Sequence, residues 1–375
     1  INAAGALSRL GGSTLSDGVR FAMNEAARDF VEIPILHDRV GEELARLTNN
    51  EAVCVSSGAA AGVLISVAAC VAGDDVKRAE KLPNSSAILK SDVVVWKEHL
   101  TGVLAGADQV LENGYLSAVP MVGGILRAIS DPEQITRDTA CVLWFPKVYP
   151  HIVDEEGIFD RFISRARDLK VPVIVDAADQ IPPISNLWYY TREKGADLAI
   201  FSGGKGLQGP GASGLVVGRK DLVKACRTHS GPEHSVGRPA KVGKEELVGI
   251  LQAVREAVEL DPVVESERFN EYVTYWRDCF RILDSLGIAT QISSTSHSGQ
   301  PIPRTILVMP GGDREIRDAI IERLWNGNPR IAVLPEEHGA IALNPHMVRQ
   351  EEREIIVQRV IEGIKGELQA SSIRQ

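Results

Sequence analysis

A lysine in a glycine-rich turn is the strongest chemical signal in this sequence. The segment LAIFSGGKGLQGPGASG opens with an apolar run, residues 198–202, which predicts a strand, and Lys205 follows that strand among small residues. The segment is not a P-loop, because Ala199 stands where that motif has its first glycine and Gly206 follows the lysine. A lysine held in a tight, partly desolvated turn can form a Schiff base. The residues alone leave open a glycine-rich loop with an exposed lysine.

An aspartate at the end of another predicted strand forms a pair with this lysine. In VPVIVDAADQ the apolar run 171–176 ends at Asp176, 29 residues before Lys205, and one predicted helix, residues 187–194, lies between them. A right-handed crossover brings two such strand ends to the same edge of a parallel sheet, where open α/β sheets bind ligands. An isolated aspartate there would only cap the next helix. Together, however, an aspartate for the ring nitrogen and a lysine for the Schiff base are the two groups that pyridoxal 5′-phosphate (PLP) requires.

A strand-to-helix turn of small residues is a candidate phosphate site. The segment SSGAAAG, residues 56–62, joins a β-rich run to a helix of buried composition. Backbone N–H groups at a helix N-terminus bind phosphate, and small side chains allow close approach. The hydroxyl of Ser202, three residues before Lys205, can add to the same site. Small residues also suit the packing of a helix on a sheet, so this turn supports the PLP hypothesis without establishing it.

Predicted strands alternate with predicted helices through the part of the chain that carries these residues. This alternation predicts an α/β fold, in which a mostly parallel, doubly wound sheet has helices on both faces. The predicted strands are residues 52–57, 92–96, 107–111, 139–144, 171–176, 198–202 and 215–218. The predicted helices include residues 59–72, 131–137, 156–169 and 187–194.

The C-terminal part of the chain has a different pattern. A predicted helix begins at residue 245 and continues past Asp261 and Pro262 to residue 286, and short β-rich segments then alternate with helices. We therefore expect an N-terminal arm (residues 1–15), a large PLP-binding domain (residues 16–250), and a long helix with a smaller α/β domain (residues 251–375). The length of 375 residues is compatible with two or three domains.

Composition excludes several classes of protein. The net charge of −9 and the pI near 5.5, without a basic run, give nucleic acids and anionic membranes no attractive field. No stretch reaches the roughly 18 to 20 apolar residues that span a bilayer, and no secretory signal is visible after Ile1. The five cysteines are widely spaced, with no CxxC motif and no nearby histidine pair. We expect reduced thiols, a cytoplasmic protein and no metal site.

The three segments, in the order phosphate turn, aspartate and lysine, resemble those of fold-type I PLP-dependent enzymes. More closely, the sequence resembles the branch that contains bacterial selenocysteine synthase (L-seryl-tRNA selenium transferase) and the D-glucosaminate-6-phosphate ammonia-lyases. The matching stretches are INAAG at residues 1–5, residues 50–62, residues 176–180, residues 195–218, and GRPAKVGKEEL at residues 237–247. The resemblance covers most of residues 1–260. It implies the fold-type I architecture, with a seven-stranded-type, mostly parallel sheet, and PLP as the cofactor.

The resemblance also implies how the cofactor is held. Lys205 would form the internal aldimine, and Asp176 would be the partner of the pyridine nitrogen. The residues implied at the phosphate are Ser57, Gly58, Ala59, Ala60 and Ser202.

Further residues are implied around the ring and the substrate. His99 would stack over the cofactor ring, although relatives often have His-Arg where this chain has His99 followed by Leu100. Gln180 is a candidate for the ring hydroxyl or the substrate. Arg238 or Arg304 is a candidate for the substrate carboxylate, through a bidentate pair. Each of these residues also has an ordinary structural explanation.

Such a site acts at Cα of a small amino acid or amino-sugar acid. We expect α,β-elimination, an ammonia-lyase or dehydratase reaction that releases a 2-oxo acid and ammonia. The same core residues serve aldol cleavage, racemisation, transamination and selenium transfer, and a fold-retaining binding protein is the non-enzymatic alternative. A nicotinamide enzyme is disfavoured, because no predicted strand leads into a Gly-x-Gly-x-x-Gly turn followed by an acidic residue.

Two expectations concern partners. Transfer of selenium to seryl-tRNA is disfavoured for two reasons. The selenium transferase carries an additional N-terminal tRNA-binding region, whereas INAAG here stands at the first residue. The chain is also acidic, which does not favour binding of tRNA. The resemblance implies a homodimer or higher homo-oligomer with the active site at the subunit interface. Residues 1–12 and 228–243 are the candidate interface elements.

Overall fold

The computed structural model describes residues 1–100, 115–146 and 155–374. The chain divides into two compact units, one of Leu15–Glu259 and one of Ile1–Thr14 with Leu260–Gln375. The strands of the first unit are β1 (Ala52–Ser56), β2 (Asp92–Trp96), β3 (Ile125–Ile129), β4 (Thr139–Trp144), β5 (Val173–Asp176), β6 (Leu198–Ser202) and β7 (Gly214–Gly218). They form one seven-stranded sheet in the order β1-β7-β6-β5-β4-β2-β3.

One strand of this sheet is antiparallel to the other six. β7 is antiparallel to both of its neighbours, β1 and β6, whereas β6, β5, β4, β2 and β3 are parallel to one another. The carboxyl ends of β1, β2, β5 and β6 therefore meet at one edge of the sheet, together with the amino end of β7. We call this the carboxyl edge.

Helices cover both faces of the sheet. They are α1 (Asp17–Ala26), α2 (Ile33–Leu47), α3 (Ala59–Ala72), α4 (Val76–Ala79), α5 (Ala118–Met121), α6 (Glu155–Leu169), α7 (Asn186–Trp188), a π-helical turn (Tyr189–Glu193), α8 (Lys220–His229) and α9 (Lys244–Glu259). Short 3-10 turns lie at Ser85–Ala87, Lys97–Leu100, Tyr115–Ser117, Pro132–Gln134 and Arg238–Ala240. Alternate strand residues face opposite sides, so that Val53 and Val55 belong to a buried cluster with α1, α2, α6 and α9, and Cys54 to one with α3, α5 and α8.

The second unit is built on a smaller antiparallel sheet. Its strands are β8 (Ala289–Ser293), β9 (Arg304–Val308), β10 (Leu334–Glu336) and β11 (Ala340–Leu343), in the order β10-β11-β9-β8. Its helices are α10 (Pro262–Phe280), α11 (Arg314–Trp325) and α12 (Arg353–Arg374), with 3-10 turns at Ser8–Leu10, Arg281–Leu286, Pro310–Gly312 and Gln350–Glu352. The first residues of the chain belong to this unit, because the N–H of Ala3 donates to Ala332 at 2.9 Å and its carbonyl accepts from Asn344 at 2.8 Å.

The predicted fold class is confirmed. A mostly parallel seven-stranded sheet flanked by helices is accompanied by a smaller α/β unit, and five predicted strands of the large sheet match the observed ones within a residue at either end. The predicted strand 107–111 lies outside the described residues. Among the residues described, no helix is long and apolar enough to cross a membrane.

Two local predictions were wrong, and one strand was missed. The helix predicted at residues 131–137 is only the 3-10 turn Pro132–Gln134, which Asp131 caps and which ends because Ile135 returns to an extended backbone. β3 was not predicted, because four of its five residues are exposed or only partly buried and show no alternation. The helix predicted across residues 245–286 breaks before Pro262, which has no N–H to continue it, and Asp261 caps the new helix by accepting from Val263 at 2.9 Å.

Candidate active site

Lys205 lies at the carboxyl edge, on the turn that connects β6 to β7. The turn is closed at its base, where the N–H of Gly203 donates to the carbonyl of Ser213 at 2.8 Å. It also packs against the chain that leaves β5: a Cβ placed on Gly206 would lie 2.0 Å from the carbonyl oxygen of Ile181, so only glycine fits there. The Lys205 side chain is 19% exposed. The turn therefore holds the lysine in a fixed and mostly buried position.

Asp176 ends β5, the strand next to β6, and its backbone pairs with Ile200. One carboxylate oxygen accepts a hydrogen bond from the N–H of Ala178 at 3.1 Å. Loss of hydration raises the pKa of Asp176 from 3.8 to about 6, against the Ala178 hydrogen bond and the positive charge of Lys205, which both lower it. A cationic ring nitrogen beside this carboxyl group would likewise favour its charged form. The structure thus brings Asp176 and Lys205 to one edge, with their charges close enough to interact.

The N-terminus of α3 lies at the same edge. Gly58 precedes the helix with a φ of +86°, and no heavy atom of the described residues lies within 4 Å of the place where a Cβ would stand on it. The first N–H groups of a helix, here those of Ala59 and Ala60, have no acceptor within the helix and attract anions. The open space at Gly58 gives a phosphate room to reach them. Ser57 is half-buried just before this turn.

Gly214, the first residue of β7, brings Ser202 to this helix. It pairs with Ser56 of β1 on one side and with Ser202 of β6 on the other. A Cβ on Gly214 would lie 2.7 Å from the carbonyl carbon of Gly58 and 3.0 Å from the nitrogen of Ala59. The glycine therefore lets the start of α3 close onto the sheet beside Ser202, as a shared phosphate site requires.

His99 follows β2 at the carboxyl edge, within the 3-10 turn Lys97–Leu100. It is 1% exposed. Its ring lies edge-on to two tryptophans, with centroids 4.5 Å from Trp144 and 5.1 Å from Trp96. Burial lowers the pKa of His99 to about 3, so the imidazole is neutral. Its stacking over a cofactor ring stays a prediction.

Gln180 and Arg238 have contrasting surroundings. Gln180 is buried after β5, and its carbonyl accepts from the side-chain amide of Asn186 at 2.6 Å. Arg238 begins an exposed 3-10 turn, with its N–H donating to Ser235 at 2.9 Å. The roles predicted for both side chains remain predictions.

Arg304 belongs to the second unit, where it starts β9. It is 7% exposed. Its Nε donates to the carbonyl of Thr295 at 2.8 Å, and its guanidinium forms an ion pair with Glu336. These contacts account for the burial of a charged side chain by local structure alone. A role in binding the substrate stays a prediction.

A second carboxylate beside the lysine was not singled out in the sequence. The Oδ1 of Asp179 lies 3.8 Å from the Nζ of Lys205, and the two side chains are similarly shielded, with 20% and 19% exposed. The signal was present in VDAADQ, because Asp179 follows Asp176 by three residues on the same turn. Sequence alone does not show which of the two carboxylates faces the lysine.

These residues fit PLP. The start of α3, with open space at Gly58, suits the phosphate, and the partly buried carboxyl group of Asp176 suits a ring nitrogen that carries a proton. Lys205 supplies the amine that an aldehyde requires. All three lie at the carboxyl edge of one sheet, so each part of the cofactor has a matching group.

Comparison with known proteins finds relatives along most of the chain, although no family model matches it. A 5′-C-glycyluridine monooxygenase-decarboxylase from a Streptomyces species is 34% identical over 367 residues, 94% of this chain and 86% of the relative. A D-glucosaminate-6-phosphate ammonia lyase from Salmonella typhimurium is 32% identical over 287 residues, 71% of this chain and 72% of the relative. A solved structure of D-glucosaminate-6-phosphate ammonia-lyase covers 98% of this chain and 96% of its own, with 27% identity and a TM-score of 0.77.

The resemblance found in the sequence is confirmed by these matches, since identity above 30% extends over more than two thirds of the chain. The similarity covers 98% of the chain and therefore extends over both compact units. The chain belongs to the fold-type I PLP-dependent enzymes, in the family that includes the D-glucosaminate-6-phosphate ammonia-lyases and the L-seryl-tRNA(Sec) selenium transferases, and its cofactor is PLP.

Proposed function

We propose that this protein is a PLP-dependent lyase that carries out α,β-elimination on a small hydroxyamino acid or amino-sugar acid and releases a 2-oxo acid and ammonia. The observation that carries the proposal is the meeting of Asp176, Lys205 and the start of α3 at one sheet edge. This edge lies in a chain that is 32% identical to a D-glucosaminate-6-phosphate ammonia lyase over 71% of its length.

The residues at the carboxyl edge have distinct tasks in this reaction. When bound, PLP supplies an electron-accepting ring conjugated to the substrate's amino group. The helix start at Ala59 and Ala60, with Ser57 and Ser202, holds the phosphate. The carboxylate of Asp176 keeps the ring nitrogen protonated by balancing its charge.

Lys205 is the proposed proton carrier. Its amine takes the proton from Cα, and the C–H electron pair forms the new bond to Cβ as the C–O bond breaks. The same nitrogen then gives its proton to the leaving hydroxyl, which departs as water. The enamine product takes up water and loses ammonia, which leaves the 2-oxo acid. No net oxidation or reduction takes place in this sequence.

The substrate carboxylate needs a cation. We propose Arg238 or Arg304, with Arg238 favoured, because its side chain is exposed, whereas Arg304 is already bound to Glu336 and Thr295. A KM that rises in Arg238→Ala, with kcat little changed, would support this choice. A rise in KM for Arg304→Ala alone would reverse it.

A second candidate reaction is oxygen-dependent decarboxylation. It is favoured by the relative named 5′-C-glycyluridine monooxygenase-decarboxylase, which is 34% identical over 94% of this chain. Such a reaction would consume dioxygen and release the carboxyl carbon as carbon dioxide. Elimination needs neither, so the two reactions differ in what is consumed as well as in what is formed.

One experiment separates the candidates. The purified protein is loaded with PLP, and the cofactor is located by the absorption band between about 300 and 500 nm, by borohydride reduction and by mass spectrometry of the Lys205 peptide. D- and L-hydroxyamino acids and amino-sugar acids are then supplied with and without dioxygen. Ammonia and 2-oxo acid formed equally under both conditions, and lost in Lys205→Ala, are expected. Carbon dioxide release that requires dioxygen would replace the lyase with the second candidate.

We propose a cytoplasmic homodimer or higher homo-oligomer. Phe30 is fully exposed, and Val31 and Ile35 nearby are 43% and 56% exposed, which is typical of a surface that another subunit covers. The resemblance supports an active site at the subunit interface.

The cytoplasmic location is supported by the five cysteines, all of which are free. The expected partner is the small-molecule substrate, and the acidic net charge argues against a nucleic acid.

A further inference from the structure

Asp179 stands beside Lys205 and has no task in the reaction described so far. We propose that Asp179 is a positioning residue for Lys205: its carboxylate holds the ε-ammonium group whenever the lysine carries a proton, and keeps that proton at the site until the leaving hydroxyl takes it. This inference rests on the proposed function for its role in the reaction. Its structural part, a carboxylate that stabilises the charged lysine, can be tested without any substrate.

The geometry favours Asp179 over Asp176 for this role. The Oδ1 of Asp179 lies 3.8 Å from Nζ, which is an ion-pair distance and longer than a hydrogen bond. That spacing attracts the ammonium without fixing the nitrogen in one direction, so the lysine can turn between Cα and the β-oxygen. Asp176 accepts a hydrogen bond from Ala178, and its carboxylate is the proposed partner of the ring nitrogen rather than of Lys205.

Burial strengthens the attraction between Asp179 and Lys205. Both side chains are about four-fifths buried, so water screens the attraction less than it does for a surface pair. The two carboxylates also repel each other: burial is the main cause of the raised pKa of Asp176, and the negative charge of Asp179 adds to it. Once Asp176 faces a ring nitrogen, Asp179 is the carboxylate left to the lysine.

The charge that Lys205 carries during the reaction gives Asp179 a task. Removal of the Cα proton turns the neutral amine of Lys205 into an ammonium, and delivery of that proton to the departing oxygen restores the amine. Between the two steps, a positive charge exists in a mostly buried place. A carboxylate at 3.8 Å offsets the cost of that charge without exchanging any proton itself.

The first test uses the full chain without PLP and needs no substrate. An amine-reactive acetylating reagent is applied briefly at one fixed pH to the native protein and to Asp179→Asn, Asp179→Glu and Asp74→Asn, and peptide masses give the labelling rate at each lysine. Only neutral amines react, and an opposite charge within about 4–6 Å favours the charged form by a factor of ten or more. We therefore expect Lys205 to react about tenfold faster in Asp179→Asn, and near the native rate in Asp179→Glu.

Asp74→Asn is the matched control. It removes the carboxylate that lies 3.1 Å from Lys224, but both of these side chains are more than half exposed, so little change is expected at Lys224 and none at Lys205. A Lys205 rate in Asp179→Asn within twofold of the native rate, in a protein whose other lysines react normally, would overturn the proposal. Faster labelling at every lysine would reveal unfolding, and Asp179→Glu then decides, because a positioning carboxylate predicts the native rate there.

The second test uses the PLP-loaded enzyme. Asp179→Asn should lose about tenfold or more in kcat with KM little changed, and Asp179→Glu should recover most of that loss. A changed Lys205 labelling rate together with unchanged kcat would place Asp179 beside the lysine but refute its part in the reaction. If no substrate is eliminated by the native enzyme, the proposed function fails while the labelling result stands on its own.

Discussion

Asp176 should destabilise the protein that lacks PLP and stabilise the protein that holds it. Its folded-state pKa of about 6 lies above the value of 3.8 for a solvated aspartate, so the folded chain binds a proton more readily than the unfolded chain does. The contribution of Asp176 to the stability of the folded chain is therefore most favourable below pH 4, falls between pH 4 and about 6, and is constant at its lower level above that range. A neutral asparagine of the same shape removes this loss.

The size of the effect follows from the pKa difference. Two pKa units correspond to about 3 kcal/mol, and partial exposure of the carboxyl group reduces this to about 2 kcal/mol. Asp176→Asn without PLP should therefore be more stable than the native chain by about 2 kcal/mol near neutral pH, with a melting temperature raised by about 4–8 °C. Below pH 4 the two proteins should be equally stable, because Asp176 is then protonated in both states.

Melting curves at several pH values, with and without PLP, test this reasoning. With PLP the order should reverse, because the ring nitrogen loses its charged partner, and cofactor affinity should fall by about 10- to 100-fold in Asp176→Asn. Asp168→Asn, at an exposed position on α6, is the control and should stay within about 0.5 kcal/mol of the native protein. An Asp176→Asn protein no more stable than the native chain near neutral pH without PLP, or equally stabilised below pH 4, would refute the argument.

Three further substitutions probe other parts of the structure. Gly214→Ala places a Cβ 2.7 Å from the carbonyl carbon of Gly58, so the free energy of unfolding in urea should fall by about 1–3 kcal/mol, and a PLP titration should show weaker binding. An unchanged PLP affinity would show that the phosphate binds elsewhere. Arg304→Ala leaves Glu336 without the arginine and should cost about 1–3 kcal/mol of stability, whereas a raised KM at native stability would instead favour substrate binding. Phe30→Asp should convert the proposed dimer to a monomer in sedimentation, and an unchanged dimer would place the interface elsewhere.

The main features of the large sheet were predictable because they are local. Apolar runs that end in Asp176 or lead to Lys205 are long enough to mark buried strands, and parallel strands on either side of a crossover must bring their ends together. The start of α3 was predictable for a similar reason, since small residues between a strand and a buried helix mark a close turn. The order of the segments then gave the family resemblance.

The features that were missed depend on long-range contacts. The partly buried ion pair of Arg304 with Glu336 joins residues 32 positions apart, and nothing near Arg304 in the sequence indicates its partner. His99 lies among Trp96 and Trp144 because β2 and β4 are neighbours in the sheet, an order that strand patterns alone do not supply. The exposed edge strand β3 shows no apolar alternation, and its pairing with β2 identifies it.

The reversed direction of β7 explains why Lys205 is held more firmly than a residue at the end of an ordinary parallel strand. A parallel strand leads into a crossover helix, so the residue after it is fixed from one side only. Here β6 turns back into β7, Ser202 pairs with Gly214, and both ends of the turn are bound to the sheet at the same edge. The same reversal puts Gly214 against the start of α3. One antiparallel strand thus fixes the amine and the phosphate site relative to each other, which positioning a cofactor for proton transfer at Cα requires.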